Sequence, residues 1–315
     1  MPLSPIIEFM VSKEASFPAP SEKEKLDKAI KRFKNILIQH PQRNDINEIR
    51  FGLADMLVGR NEKGDYVAAL KFYDEILEKG APPYLRARAL IGKAELSVPI
   101  PKEEEKNNAI EMCHKAEELL DKDLDDFFGA KVFMVEADLL LSRDKGDDHA
   151  RAYKICEKLA KNKGTNSYFK ARAFLCQAEL ILYHFPQKIK DGIKFCQQSL
   201  KLLGERKSDY FYLKSKIILA ELLTRRSKKE DFKTAQELCR EVIRSQETFT
   251  DLLARAKLLL AELSRNPKAL ELYKEIMEME VVDPYIIEKT KTALNNLKEK
   301  LALPKPARLK KKPCL

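Results

Sequence analysis

No tryptophan occurs in the 315 residues, and glycine is scarce at ten. Threonine and valine runs are few, and no Asn-Gly or Asp-Gly turn separates alternating strands, so little points to β-structure. No apolar run approaches the length of a membrane-spanning helix, so no segment reads as one. The start, Met1-Pro2-Leu3-Ser4-Pro5, has no basic stretch leading into an apolar one and does not read as a standard signal peptide. None of the six cysteines forms a Cys-x-x-Cys pair, which fits a reducing, cytoplasmic compartment. Cys314 stands next to the last residue, so it is not in a prenylation box. The four histidines, His40, His114, His149 and His184, are never spaced to share one helix face, which gives no metal-binding pair. There is no P-loop, Rossmann glycine pattern or nucleophile elbow. No enzyme, no metal and no cofactor is expected.

What is present favours helix. Lys, Glu, Leu and Ala dominate, 34% of residues are charged, and the 44% apolar share can fill a continuous core. The net charge of +10 is uneven, because Lys305, Arg308, Lys310, Lys311 and Lys312 near the C-terminus supply half of it. Three parts follow: an irregular, Pro-punctuated segment 1–20, a helical repeat body 21–303, and a basic tail 304–315. Within the first, Ile6-Ile7-Glu8-Phe9-Met10-Val11 is an apolar run that reads as a leader or as a segment docked on the body.

Helices in the body come in pairs, A then B. Ser21 reads as an N-cap with Glu24 as its capping-box partner. His40-Pro41 ends the first helix. A triplet of Ala, acid and apolar residue closes the A helices at Ala54, Ala94, Ala137, Ala178, Ala220 and Ala261. Six occurrences at a near-fixed period are a repeat signature. In the B helices a small residue precedes a filler by one turn: Ala29/Phe33, Ala69/Tyr73, Ala109/Cys113, Ala152/Cys156, Gly192/Cys196, Ala235/Cys239 and Ala269/Tyr273. That equivalence makes the cysteines at 113, 156, 196 and 239 core filler. Asp283-Pro284 opens a final capping helix.

Gly64, Asp65, Tyr66, Ala69 and Tyr73, with Pro41 following Ala29, resemble the second-helix motif and terminal proline of the tetratricopeptide repeat. The resemblance covers roughly 22–301 and is specific only in the first repeat. The period, about 41 residues, is longer than the family's roughly 34. The family's helix-A tryptophan is absent, and Ala81, Asp121 and Gly164 replace later terminal prolines. The resemblance implies an all-α, right-handed solenoid of about 14 helices, with a capping helix at each end. It also implies a concave groove that binds an extended peptide or a helix.

Two charged rows repeat on the A helices. The residue after each Ala is acidic: Asp55, Glu95, Asp138, Glu179, Glu221 and Glu262. Two turns earlier stand Glu48 and then Arg88, Lys131, Arg172, Lys214 and Arg255, on the same face. Either this mixed stripe pairs between neighbouring repeats, or the basic row lines a groove for an acidic peptide. The family's chaperone-tail clamp needs A-helix asparagines, and only Asn47 is available. The leading expectation is a cytoplasmic, non-catalytic adaptor that takes a protein or peptide partner, an acidic one if the basic row is free. The alternative is a nucleic-acid-associated repeat protein, with nucleic acid or anionic membrane reached only through the tail. A third reading has Ile6 to Val11 masking the groove.

Overall fold

Alternation of apolar stripes at helical spacing with short polar turns produces one helix after another. The computed structural model describes residues 20–302, apart from 79, 121–125, 205–208, 246–248, 265–266 and 281. Helix α1 spans Pro20–Gln39. Six A/B pairs follow. They are α2 Ile46–Arg60 with α3 Asp65–Glu78, α4 Pro83–Ser97 with α5 Glu103–Leu119, and α6 Asp126–Arg143 with α7 Asp148–Lys161. Next come α8 Ser167–Tyr183 with α9 Ile189–Leu202, α10 Tyr210–Arg226 with α11 Lys229–Ile243, and α12 Thr250–Ser264 with α13 Pro267–Glu278. Helix α14, Pro284–Ala302, closes the array.

Each B helix packs between its own A helix and the next one, and successive A helices also touch directly. Close contact on the A side makes that side the inner face of the stack. The small B-helix residues explain the tight approach. Ala69, Ala109, Ala152 and Ala235 are wholly buried, and so are Cys113, Cys156, Cys196 and Cys239 one turn later. At Gly192 a methyl group would lie 3.0 Å from Ile181 and 3.1 Å from Leu222, side chains of the two A helices that it separates. Helix α1, the first helix among the described residues, buries Ile30 instead and leaves Ala29 and Phe33 half-buried.

The ends follow the expected signals, with small shifts. Helix α1 begins at Pro20, so Ser21 lies inside its first turn rather than ahead of it. It stops at Gln39, before His40-Pro41. The Asp283 carboxylate accepts the Tyr285 N–H at 2.8 Å and caps α14. The run Ile6 to Val11 and the tail 304–315 lie outside the described residues.

The A/B turns alternate between two designs. In pairs 1, 3 and 5 an arginine ending the A helix grips an aspartate at the start of the B helix: Arg60–Asp65, Arg143–Asp148 and Arg226–Asp231. All three are bidentate, with bonds of 2.6–2.9 Å. The residue after each arginine, Asn61, Asp144 or Ser227, is left-handed, with φ of 57°, 54° and 58°. Its N–H caps the A helix on Leu57, Leu140 or Leu223. Among the described residues these are the only non-glycine residues with positive φ. Pairs 2 and 4 use proline instead: Pro99 and Pro101 in one turn, and a 3-10 turn Pro186–Lys188 in the other.

Candidate functional site

Three A-helix positions face the inner side: the base, the apolar residue one turn later, and the acid one turn beyond that. Helical spacing stacks them along one stripe. Parallel A helices then bring the acid of one repeat beside the base of the next. Lys131 reaches Glu95 at 2.8 Å, Arg172 reaches Asp138 at 3.2 Å, and Lys214 reaches Glu179 at 3.0 Å. Arg255 reaches Glu221 at 3.1 Å and also donates to the Tyr183 hydroxyl at 2.9 Å. The capping helix supplies Lys289, 3.2 Å from Glu262. These are the contacts a stripe packed between repeats would make.

The first step of the ladder differs. Arg88 is sandwiched by the rings of Phe51 at 4.1 Å and Phe128 at 4.5 Å, one from the A helix on each side. Asp55 instead accepts from the Tyr73 hydroxyl at 3.0 Å. Burial, opposed by Lys131, Tyr73 and Arg88, raises the Asp55 carboxyl above its usual range. Tyr73 is therefore more than filler. A methyl group on Gly92 would lie 2.5 Å from the Tyr73 ring, so glycine is required opposite it. Glu48, the acid in the basic row, accepts from the exposed Tyr84 hydroxyl at 2.6 Å.

The five bases do not converge on one point; they are spread along the array, each with its own partner. Lys214 is wholly buried and Arg255 nearly so, while Arg88, Lys131 and Arg172 are half-buried. At the middle of the array a narrow crevice, with a free volume of about 10 Å³ and room for about one water molecule, lies between α6, α8 and α10. Met134, Leu175, Cys176 and Phe211 form its apolar walls, and Asp138, Arg172, Glu179 and Lys214 its polar ones. Asp138 is 1% exposed. Burial, reinforced by Glu95 and Glu179 and opposed by Arg172 and Lys214, pushes its carboxyl up to about 7. Its Oδ1 and the Nε of Arg172 are buried without a hydrogen-bond partner.

Cys176 lies against Cys156 of the preceding B helix, a contact between unlike helix positions that the spacing of like positions does not reveal. The Cys156 hydrogen bond and burial hold its thiol well above the usual range. A neutral, buried thiol beside carboxylates already paired with bases offers no activated nucleophile. Helix ends also meet unexpectedly at His149 and His184, whose rings stack at 3.6 Å. Burial and His149 lower the His184 pKa against the pull of Asp144. Among the described residues no three His, Cys, Asp or Glu are grouped to hold a metal. No described helix is long and apolar enough to cross a membrane. The basic-tail residues Lys305, Arg308, Lys310, Lys311 and Lys312 lie outside the described residues.

Among the described residues, six stacked helix pairs flanked by one helix on each side define a TPR-like α-solenoid. The fold resembles the crystal structure of yeast Tom70, with a TM-score of 0.52 and 16% identity over 89% of this chain and 60% of that one. The chain thus spans under two thirds of that relative, and the likeness is one of fold. No protein-family model matches the sequence, and neither does any curated protein.

Proposed function

We propose that the chain is a non-catalytic protein-interaction scaffold, a long-period relative of the tetratricopeptide repeat proteins, that holds a peptide or helix of a partner on its inner A-helix face. The observation that carries this reading is the central crevice. It opens on the face where A helices meet, and it combines apolar walls with buried polar atoms that have no partner, Asp138 Oδ1 and Arg172 Nε. Both atoms are buried, so a partner segment reaches them only by parting α8 from α6 or α10; an amide group would then offer a donor to the first and an acceptor to the second. Because Lys131, Arg172, Lys214 and Arg255 already hold acids, they serve here as walls more than as free hooks for an acidic ligand.

The test is selection of peptides from a displayed random library against the full chain, followed by hydrogen exchange with a synthetic copy of each selected peptide. Slower exchange in α6, α8 and α10, weakened in an Arg172→Lys variant that keeps the charge beside Asp138 and removes the Nε, is expected. Protection confined to B helices, or no selected peptide that binds in solution, would overturn the reading.

A further inference from the structure

Ahead of the basic tail, the positive charge of the sequence sits in one stretch. Residues 161–245 hold 19 Lys and Arg against nine Asp and Glu, whereas residues 1–160 hold 26 against 30. The inner-face bases of that stretch are already paired. Five of the exposed ones stand at the A/B turns of pairs 4 and 5, while Lys161, Lys163, Lys201 and Arg244 are exposed elsewhere. Lys188 and Lys190 flank the start of α9, and Lys228, Lys229 and Lys233 flank the start of α11. No carboxylate is paired with any of these five among the described residues. Arg226 takes up Asp231 at 2.6 Å, leaving Glu230 and Asp191 as the nearby acids. Asp191 itself lies 4.0 Å from Lys194.

The two turns are neighbours in space. The Arg225 guanidinium, at the end of α10, donates to the Leu182 carbonyl at the end of α8. Lys188 lies over the ring of Tyr153 at 4.9 Å, and Phe232 stands 38% exposed between Lys229 and Lys233. The same edge carries the opposite sign further back, at Glu104 and Glu105 in pair 2 and Asp147 in pair 3, while Lys145 holds Glu103 and His149 lies 3.1 Å from Asp144. Hydrogen bonding between Ser142 and the Val98 carbonyl, at 2.8 Å, joins those earlier turns in the same way.

We infer that the turn edge of pairs 4 and 5 docks a short acidic segment of a partner protein, independently of the inner face. Charge complementarity names the occupant, and the change of sign along the edge limits its length. A nucleic acid or an anionic bilayer running along this edge would meet the carboxylates of pairs 2 and 3, whereas a short acidic peptide covers only the basic turns. Adjacent helix axes lie about 8–10 Å apart, and an extended chain advances about 3.3 Å per residue. Acids at roughly every third position would therefore face successive turns, with an apolar residue between them to cover Phe232.

The test uses the full chain and a fluorescein-labelled decaglutamate peptide, with fluorescence anisotropy at low salt and zero-length carbodiimide cross-linking mapped by mass spectrometry. Cross-links are expected at Lys188, Lys190, Lys228, Lys229 and Lys233. The variant K188E/K190E/K228E/K229E should bind about tenfold more weakly or worse, as loss of several exposed contacts predicts, while its helical melt stays the same. Replacing the five basic tail residues by alanine should leave those cross-links in place. The inference is overturned if the reversed variant binds as well as the parent, or if cross-links fall on the tail or the inner-face lysines. It also fails if a decameric RNA of equal charge or phosphatidylserine vesicles displace the peptide and lose affinity equally with the four reversals, because the edge is then a general polyanion surface.

Discussion

Carboxylates on the inner row and in the turn clamps all feel nearby bases that favour their charged form, yet their net shifts are opposite. On the inner row, which runs from repeat to repeat, two acids are held up: Asp138, beside Arg172, to about 7, and Asp55, bonded to Tyr73, above its normal range. The turn clamps lie within repeats, and their acids are held down. Burial pushes Asp65 and Asp148 upward, but the bidentate arginine and a backbone N–H outweigh it; in Asp231 the Arg226 hydrogen bond leads. The difference lies in how many hydrogen bonds each charge receives. Asp148 accepts two from Arg143 and one from the Lys145 N–H, whereas Asp138 accepts a single 3.2 Å bond from Arg172 and keeps one oxygen without a partner. A nearby charge compensates for lost water only when geometry lets it replace the lost hydrogen bonds.

The largest effect should come from the driest rung. Lys214 is wholly buried against Glu179. Lys214→Ala removes one partner and strands the other, so a loss of about 3–5 kcal/mol is expected in urea unfolding. Lys214→Met combined with Glu179→Met should recover most of that loss. A double variant as unstable as the single one would show that the pair does more than neutralise itself.

Next in size is a clamp. Arg143→Ala removes two bonds to Asp148 and one, at 2.7 Å, to Asn107 of the preceding B helix. Hydrogen bonds to charged groups are worth about 1.5–3 kcal/mol, and a loss in that range is expected. Lys188→Ala, in a turn without a clamp, should change stability by under about 0.5 kcal/mol. Equal losses in the two variants would erase the distinction between the two turn designs.

Much of this was legible in the sequence. The Ala-acid-apolar triplets marked the A helices, and the spacing of the charged rows contained the ladder as one of two readings. The clamps were also written there, as Arg-x-x-x-x-Asp at 60/65, 143/148 and 226/231, but each copy lies two repeats from the next. A search at the single-repeat period averages them with the proline turns and loses them. Contacts between unlike positions left no periodic trace at all. Tyr73 with Asp55, Cys156 with Cys176, and His149 with His184 depend on how an A helix meets a B helix, which only packing decides. The free basic edge was hidden for a further reason: counting charge along the chain does not tell which lysines are already paired.

Acidity should separate the two sets without removing any atom but one. Asp148 has a folded pKa below its unfolded value of 3.8, so it stabilises above that value, and the contribution is lost as pH falls through the folded pKa. Asp138 runs the other way. Its folded pKa of about 7 exceeds 3.8, so its contribution is fully present below 3.8 and is lost as pH rises through 7. Asp138→Asn should therefore flatten the stability profile between about pH 4 and 7, and Asp148→Asn should flatten it below about pH 4. Urea midpoints taken across about pH 3 to 8 would check this. Identical profiles for the two variants would mean that burial, not hydrogen bonding, governs both sites.

The smallest effect tests whether the ladder is one device or several. Lys131 and Glu95 lie at the wetter end, with side chains 28% and 29% exposed at 2.8 Å. Water can replace either partner, so Lys131→Ala should cost no more than about 1 kcal/mol, and added salt should shrink that further. The same change at Lys214 should be insensitive to salt, because no ions reach it. If Lys131→Ala costs as much as Lys214→Ala, register along the inner face depends on every rung together rather than on the dry centre. Loss at one rung would then be felt at the crevice further along the array.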